Sequence, residues 1–214
     1  MIERARNLAT ATLGDALDMH GLSGVMSGIA RRSGHGRVAG FAVTLQEEVG
    51  PLGSFDLDEF AVGRGLDAVS TNCFLIVDMG GADVSTFGGL AALSLKLQEA
   101  AGAIIDGGCR DIEEITKSGL TVASRFVTPR TGKGRVRVVS LGEPVTCGDV
   151  LVRSGDIIVV DDTGIVVLPK ARLEQILDTA EKLDRHDAEF IKRLQGGASF
   201  SNTAKSLKLS LIHI

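Results

Sequence analysis

A single-domain α/β fold is predicted by three features: a strand, glycine loop, helix, strand succession over residues 73–106, short β-branched runs over residues 121–169, and a polar helical segment over residues 170–194. In the first feature two apolar runs, CFLIV and AIID, flank a stretch of helical periodicity, the pattern of a central βαβ unit whose strands run parallel. In the second, RVRVVSL, DVLV, DIIVVDD and GIVVLP alternate with GEP, RSG and DTG turns, which predicts a compact, mostly antiparallel sheet. A chain of 214 residues suffices for one domain, residues 1–214, with a substantial core and no disulfide support.

Taken in order, residues 2–20 carry apolar side chains at helical spacing and end at Gly21, a suitable residue just beyond a helix. Residues 24–36 form a glycine- and serine-rich loop, and residues 37–46, with Val38, Phe41, Val43 and Leu45, read as the first strand. A polar stretch over residues 47–53 leads to a helix expected at residues 56–64, and residues 73–77 form a buried strand. After the glycine-rich turn of residues 80–89 comes a helix that sets Leu90, Leu93 and Leu97 on one face, with Lys96 and Glu99 turned away. Residues 103–106 form the next strand and GGC a second glycine turn; Arg110-Asp111 then opens a short helix through Lys117 that stops at Gly119. The helix over residues 170–195 is charged on most faces and suits a position across a neighbouring subunit. The tail, SLKLSLIHI, alternates polar and apolar residues, as a weak strand or a disordered end would.

Composition excludes several function classes. A net charge of −4 and the absence of Trp and Tyr leave neither a basic stripe for phosphates nor many platforms for base stacking, so nucleic acid is not an expected partner. No apolar run approaches the 18 or more residues that cross a bilayer, and the first ten residues lack the apolar core of a signal peptide, so no membrane association and a cytoplasmic location are expected. Cys73, Cys109 and Cys147 are odd in number and widely spaced, which fits buried thiols rather than a metal or redox centre. His20, His35, His186 and His213 show no ligand spacing, Asp161-Asp162 reads as turn chemistry, and Asp15 fits the polar face of the first helix.

The two glycine turns converge at one end of the βαβ unit. Gly88-Gly89 starts a helix, and the first-turn amides near Leu90 and Ala91 are suited to a carboxylate or phosphate, although close helix packing also explains such glycines. Arg110 and Asp111 follow the second turn at the C-terminal edge of the sheet, where open α/β folds collect ligands. Arginine offers a planar fork to a carboxylate, and aspartate can hold Mg²⁺, which needs only one or two protein carboxylates. Asp111 and Glu114 equally satisfy the D-x-x-E spacing of a capping box.

The run GGLAALSLKLQEAAGAIIDGGCRDIEE, from Gly88 to Glu114, resembles the signature of the RraA-like family, with TATLGDALDMHGLSGVMSGI, GRVAGFAVTL and SGDIIVVDDTGIVVLP in family order over about residues 8–195. That family includes 4-hydroxy-4-methyl-2-oxoglutarate aldolases, oxaloacetate decarboxylases and proteins that bind and inhibit ribonuclease E. The resemblance implies a β-rich, swivelling-domain-like α/β sandwich that assembles as a homotrimer or homohexamer with its active site between subunits. It further implies a lyase that breaks a C–C bond of a pyruvate-derived 2-oxo acid. Arg110 then binds the substrate carboxylate or keto group, Asp111 ligates Mg²⁺ or Mn²⁺, and amides of Gly88, Gly89, Leu90 and Ala91 complete the pocket. The metal would act as a Lewis acid on the pyruvate enolate. The alternatives are a non-catalytic regulator that binds a ribonuclease or other protein, and a different metal-dependent reaction on a small hydroxy or oxo acid. A methyltransferase is not expected, because the glycine loop lacks GxGxG.

The chain departs from the aldolase pattern at one place. The aldolases carry an aspartate at the position of Gly89, with twenty residues between it and the Arg-Asp pair. Asp83 in the same loop, and Asp187 or Glu189 from a neighbouring subunit, are the candidate replacements.

Overall fold

The computed structural model describes residues 1–207, so the tail expectation lies almost entirely outside the described residues. Its centre is one nine-stranded sheet, with the path β1 (Ala30–Ser33), β6 (Thr121–Val127), β5 (Gly102–Cys109), β3 (Cys73–Asp78), β2 (Val38–Val49), β10 (Ile157–Val160) and β11 (Ile165–Leu168). Strands β2, β3, β5 and β6 run parallel; β1 and the β10–β11 pair close the two sides antiparallel. The predicted parallel pairing of residues 73–77 with 103–106 is present, with Leu75 opposite Ala103 and Val77 opposite Ile105.

The middles of β3 and β5, residues 74–77 and 103–105, are apolar at every position because both their faces are covered. Leu75, Val77, Ala103 and Ile105 pack under α3 (Val62–Asp67), α4 (Gly89–Leu97) and α5 (Ile112–Ser118). Phe74, Ile76 and Ile104 pack on the other face against Val145, Cys147, Val150 and Val152 of a separate hairpin, β8 (Val145–Cys147) and β9 (Val150–Val152). A third cluster joins β10 and β11 to α1 (Ile2–Asn7), α2 (Thr10–Met19) and α6 (Leu173–Gln195). The result is the expected β-rich α/β sandwich with a long helix near its C-terminal end.

Several expectations are corrected. Residues 121–169 do not make a sheet of their own. The twelve-residue β2 takes β10 along its first half and β7 (Val136–Leu141) along its second, so all but the hairpin join the central sheet. The loop over residues 24–36 contains β1, and the turn over residues 80–89 contains β4 (Ser85–Phe87), which pairs with β5. GGC is not a turn: Gly107 and Gly108 lie inside β5, where a Cβ would meet Met79 and the Val84 backbone within 3 Å. The helix expected at residues 56–64 forms later, as α3. Helix α6 does not need a neighbour to cover its first half, since Leu173, Ile176, Leu177 and Ala180 are buried against α2 and the sheet. On α4 the relation is reversed, with Ala92 and Leu95 buried while Leu90 and Leu97 stand 87% and 77% exposed.

The single helix expected over residues 2–20 is two helices, broken by extended backbone at Leu8 and Ala9. Asp161, in the turn after β10, imposes the break: its carboxylate accepts from the Thr10 N–H at 2.9 Å and the Thr10 hydroxyl at 2.6 Å. It also accepts from the Thr163 N–H at 2.9 Å and pairs with Arg37 at 3.4 Å. Burial raises the Asp161 pKa, but the bonds from Thr10, Thr163 and Gly164 outweigh it and hold the group below the usual carboxylate value. Its stabilising contribution is therefore present above the unfolded pKa and is lost as pH falls through the folded one. Asp161→Ala should cost about 2 kcal/mol in urea unfolding at neutral pH, with Thr10 left unpaired. The gap between variant and wild type should narrow below about pH 4.

Candidate active site

Parallel strands β3 and β5 must be joined by crossover helices, so the loops at their C-terminal ends share one edge of the sheet. There β4 delivers Gly88 and Gly89 into the start of α4, and β5 delivers Arg110 and Asp111 into the start of α5. The two loops are tied by the Arg110 N–H donating to the Phe87 carbonyl at 2.9 Å.

Asp111 stands in the left-handed region, φ 56° and ψ 47°, a conformation uncommon for a residue with a side chain. It makes no side-chain cap on its own helix; its Oδ2 accepts from the Gly89 N–H at 3.2 Å and lies 3.7 Å from Arg110 Nε. The capping-box alternative is thus not what forms, because the carboxylate caps the neighbouring helix α4. Gly88 leaves room for this approach, since a Cβ there would come 2.6 Å from Asp111 Oδ2 and displace the carboxylate. The Leu90 and Ala91 amides lie in the first turn of α4, where helix geometry supplies no acceptor and the helix dipole favours an anion.

Asp111 borders three depressions. One of about 300 Å³ is walled by Thr86, Gly88, Ala91, Arg110 and Lys133 together with apolar Phe60, Val62 and Leu66. A second of about 580 Å³ is lined by Gly89, Leu90, Leu93, Glu114 and Lys117, and a third of about 620 Å³ by Arg110, Glu113, Glu114 and Thr128.

The residue absent from the sequence reading of the site is Glu114. A Cβ on Gly89 would come 2.6 Å from Glu114 Cβ and 3.6 Å from Asp111 Cβ, so Glu114 occupies the space a side chain at position 89 would take. Asp111, just before α5, and Glu114, in its first turn, both line the 580 Å³ cavity. The D-x-x-E spacing was the signal, read as a cap. Asp83 is not brought to this point: it faces Arg130, 3.8 Å away. Asp187 is exposed on α6, Glu189 bonds Arg193 at 2.8 Å, and within one chain neither lines a cavity that Asp111 borders. Among the described residues no cluster of three or more His, Cys, Asp or Glu could cage a metal, and no helix is long and apolar enough to cross a membrane.

The fold and this edge define an α/β sandwich in which Arg110, Glu114 and the N-terminus of α4 border adjoining depressions that share Asp111. The family model described as RraA-like, Aldolase/RraA, matches residues 10–167, and the chain belongs to this family. A Halalkalibacterium halodurans protein, provisionally named a 4-hydroxy-4-methyl-2-oxoglutarate aldolase, is 30% identical over 191 residues, 87% of this chain and 84% of its own. A crystal structure of an uncharacterized Pseudomonas syringae protein shares the fold, with a TM-score of 0.83 at 23% identity over 94% of this chain and 95% of that one. Streptomyces coelicolor RraAS2, described as an unusual member of the RNase ES inhibitor RraA family, gives a TM-score of 0.78 at 26% identity over 90% and 94%.

Behind the 300 Å³ cavity lies a second carboxyl that the sequence reading passed over as part of a polar stretch. Glu47 is 5% exposed, and its Oε1 accepts from the Thr86 hydroxyl at 2.8 Å. Burial pushes its pKa up to about 8, with the Thr86 bond opposing. A carboxyl whose folded pKa exceeds its unfolded one loses stability as pH rises between the two values. Wild-type unfolding free energy should fall by on the order of 4 kcal/mol between about pH 4.5 and pH 8, and Glu47→Gln should lack that slope. Parallel pH curves in denaturant titrations would contradict this.

Proposed function

We propose that this chain is a divalent-metal-dependent lyase that breaks a C–C bond of a pyruvate-derived 2-oxo acid, by aldol cleavage of the 4-hydroxy-4-methyl-2-oxoglutarate type or by oxaloacetate decarboxylation. The observation that carries the reading is that Gly89 leaves room for both Asp111 and Glu114: the chain lacks a carboxylate at position 89, and the Glu114 side chain starts in the space beside it. The similarity to the aldolase-named relative supports it.

Asp111 and Glu114 fit Mg²⁺ or Mn²⁺, because hydrated hard cations take one or two carboxylates and complete their shell with water and substrate oxygens. Bound there, the cation supplies Lewis-acid chemistry at the 2-oxo group. Arg110 offers its guanidinium fork to the substrate carboxylate. The Leu90 and Ala91 amides lie where a carbonyl oxygen gaining negative charge would be stabilised as the C–C bond breaks. Asp111 holds the α4 N-terminus against this site through the Gly89 N–H, so the amides are oriented before substrate arrives.

The exposed Leu90, Leu93 and Leu97 stripe beside the cleft is the face a second copy would cover in a homotrimer or homohexamer, with Asp187 or Glu189 entering from the neighbour. The buried free thiols Cys73, Cys109 and Cys147 fit a reducing, cytoplasmic setting. The second reading is a non-catalytic regulator of a ribonuclease, favoured by the likeness to RraAS2.

Pyruvate release from oxaloacetate, coupled to lactate dehydrogenase, separates the two. Turnover should require Mg²⁺ or Mn²⁺ and stop with EDTA; Arg110→Ala and Asp111→Ala should each lose about 100-fold or more, and Glu114→Gln about 10-fold or more. Turnover no higher than the metal-only background would overturn the lyase reading and favour the regulator.

A further inference from the structure

Strand β2 points Val43, Leu45, Glu47 and Val49 to the same face, and the three apolar members pack into the core beneath the helix layer. Glu47 interrupts that row. A shift in the register of β2 against β7 falls between Gln46 and Glu47, the kind of irregularity that re-aims a side chain near a site. One carboxyl oxygen meets Thr86; among the described residues nothing bonds to the other, Oε2, although it is buried. A buried carboxyl with an unmade bond is a loss that an apolar residue of similar size would avoid, and such losses concentrate where function requires them.

The cavity connects this carboxyl to the site. Thr86 lines the same 300 Å³ depression as Arg110, Asp111 and Lys133. On the outer side of β2, Glu48 pairs with Arg137, which also reaches Glu59; among the described residues no ion pair involves Glu47. Thr86 is therefore the hydrogen-bonding link from Glu47 toward the cleft.

We propose that Glu47 is a positioning residue for the lyase site: its carboxyl hydrogen, given to Thr86, leaves the Thr86 hydroxyl to donate into the cavity, to an oxygen of the bound 2-oxo acid. This rests on the lyase reading above. While Glu47 is neutral, it and Thr86 hold one hydrogen each, and a chain of two donations can run from Glu47 through Thr86 to the ligand. Once Glu47 ionises, its carboxylate retains the Thr86 hydrogen, as in the 2.8 Å arrangement, and the cavity faces an oxygen lone pair backed by a buried negative charge. Burial places that change near pH 8. Anion binding is thus strong below this pH and weak above it.

The test is the affinity for pyruvate with Mg²⁺ present, by calorimetry at about pH 6.5 and about pH 9, with circular dichroism confirming the fold at each pH. Wild-type affinity should fall about 10-fold or more between the two, the worth of one hydrogen bond to a charged group. Glu47→Gln, which keeps a donor toward Thr86 and cannot ionise, should reduce that ratio to less than about 2-fold. Thr86→Val should bind weakly at both pH values, and Thr86→Ser, which keeps the hydroxyl, should restore the wild-type profile. A wild-type ratio near one, or a Glu47→Gln variant that keeps the wild-type ratio, overturns the inference while leaving the lyase reading in place. No pyruvate binding by wild type at either pH overturns the lyase reading and the inference with it.

Discussion

The parallel pairing of β3 with β5 is the constraint on which the rest of the structure depends. Two parallel neighbours cannot be joined by a tight turn, so the chain must return over the sheet, and it does so through α4. The same requirement recurs between β5 and β6, which are joined by α5. Two helices that return over one face begin at one edge. The convergence of Gly88-Gly89 with Arg110-Asp111 is a consequence of strand direction before it is a matter of side-chain chemistry.

What the side chains add is a close approach between those two helix starts. Asp111 adopts a left-handed backbone and turns its carboxylate onto the first amide of the neighbouring helix. Gly88 and Gly89 leave the space for Asp111 and Glu114, respectively. Left-handed backbone is strained outside glycine, and glycine loses more conformational freedom on folding than any other residue. Glu47 adds a third cost, a buried carboxyl on an apolar strand face. Asp111 and Gly88 line the 300 Å³ cavity and Glu47 reaches it through Thr86, which marks it as the place where the fold departs from its own rules of stability.

Much of this was legible in the sequence because it rests on local pattern. CFLIV and the AII of AIID are apolar at every position, as strands covered on both faces tend to be, and they proved to be parallel neighbours. Gly119 ends α5 in the left-handed conformation expected of a glycine beyond a helix. The rest depended on contacts distant in sequence. Nothing near Leu8 announces a helix break; the cause is Asp161, 151 residues beyond Thr10. The leucines of α4 have the spacing of a buried face, yet small Ala92 and Leu95 are what the sheet accepts, and periodicity alone does not distinguish a core stripe from a docking stripe. Glu114 was visible only as half of a capping box, because its relation to Gly89 exists only once α4 and α5 are side by side. Arg110 and Asp111 were placed correctly at the sheet edge since their position follows from chain order.

The central claim is that Asp111 and Glu114 together form a divalent-cation site in the cleft that Gly89 opens. Titration of the full chain with Mn²⁺, following free Mn²⁺ by electron paramagnetic resonance, tests it directly and without reference to any substrate. Wild type should bind Mn²⁺, with affinity weakened about 10-fold or more by Asp111→Asn and by Glu114→Gln, both variants retaining the wild-type circular dichroism spectrum. Mn²⁺ affinity in Asp111→Asn equal to that of the wild type would contradict it.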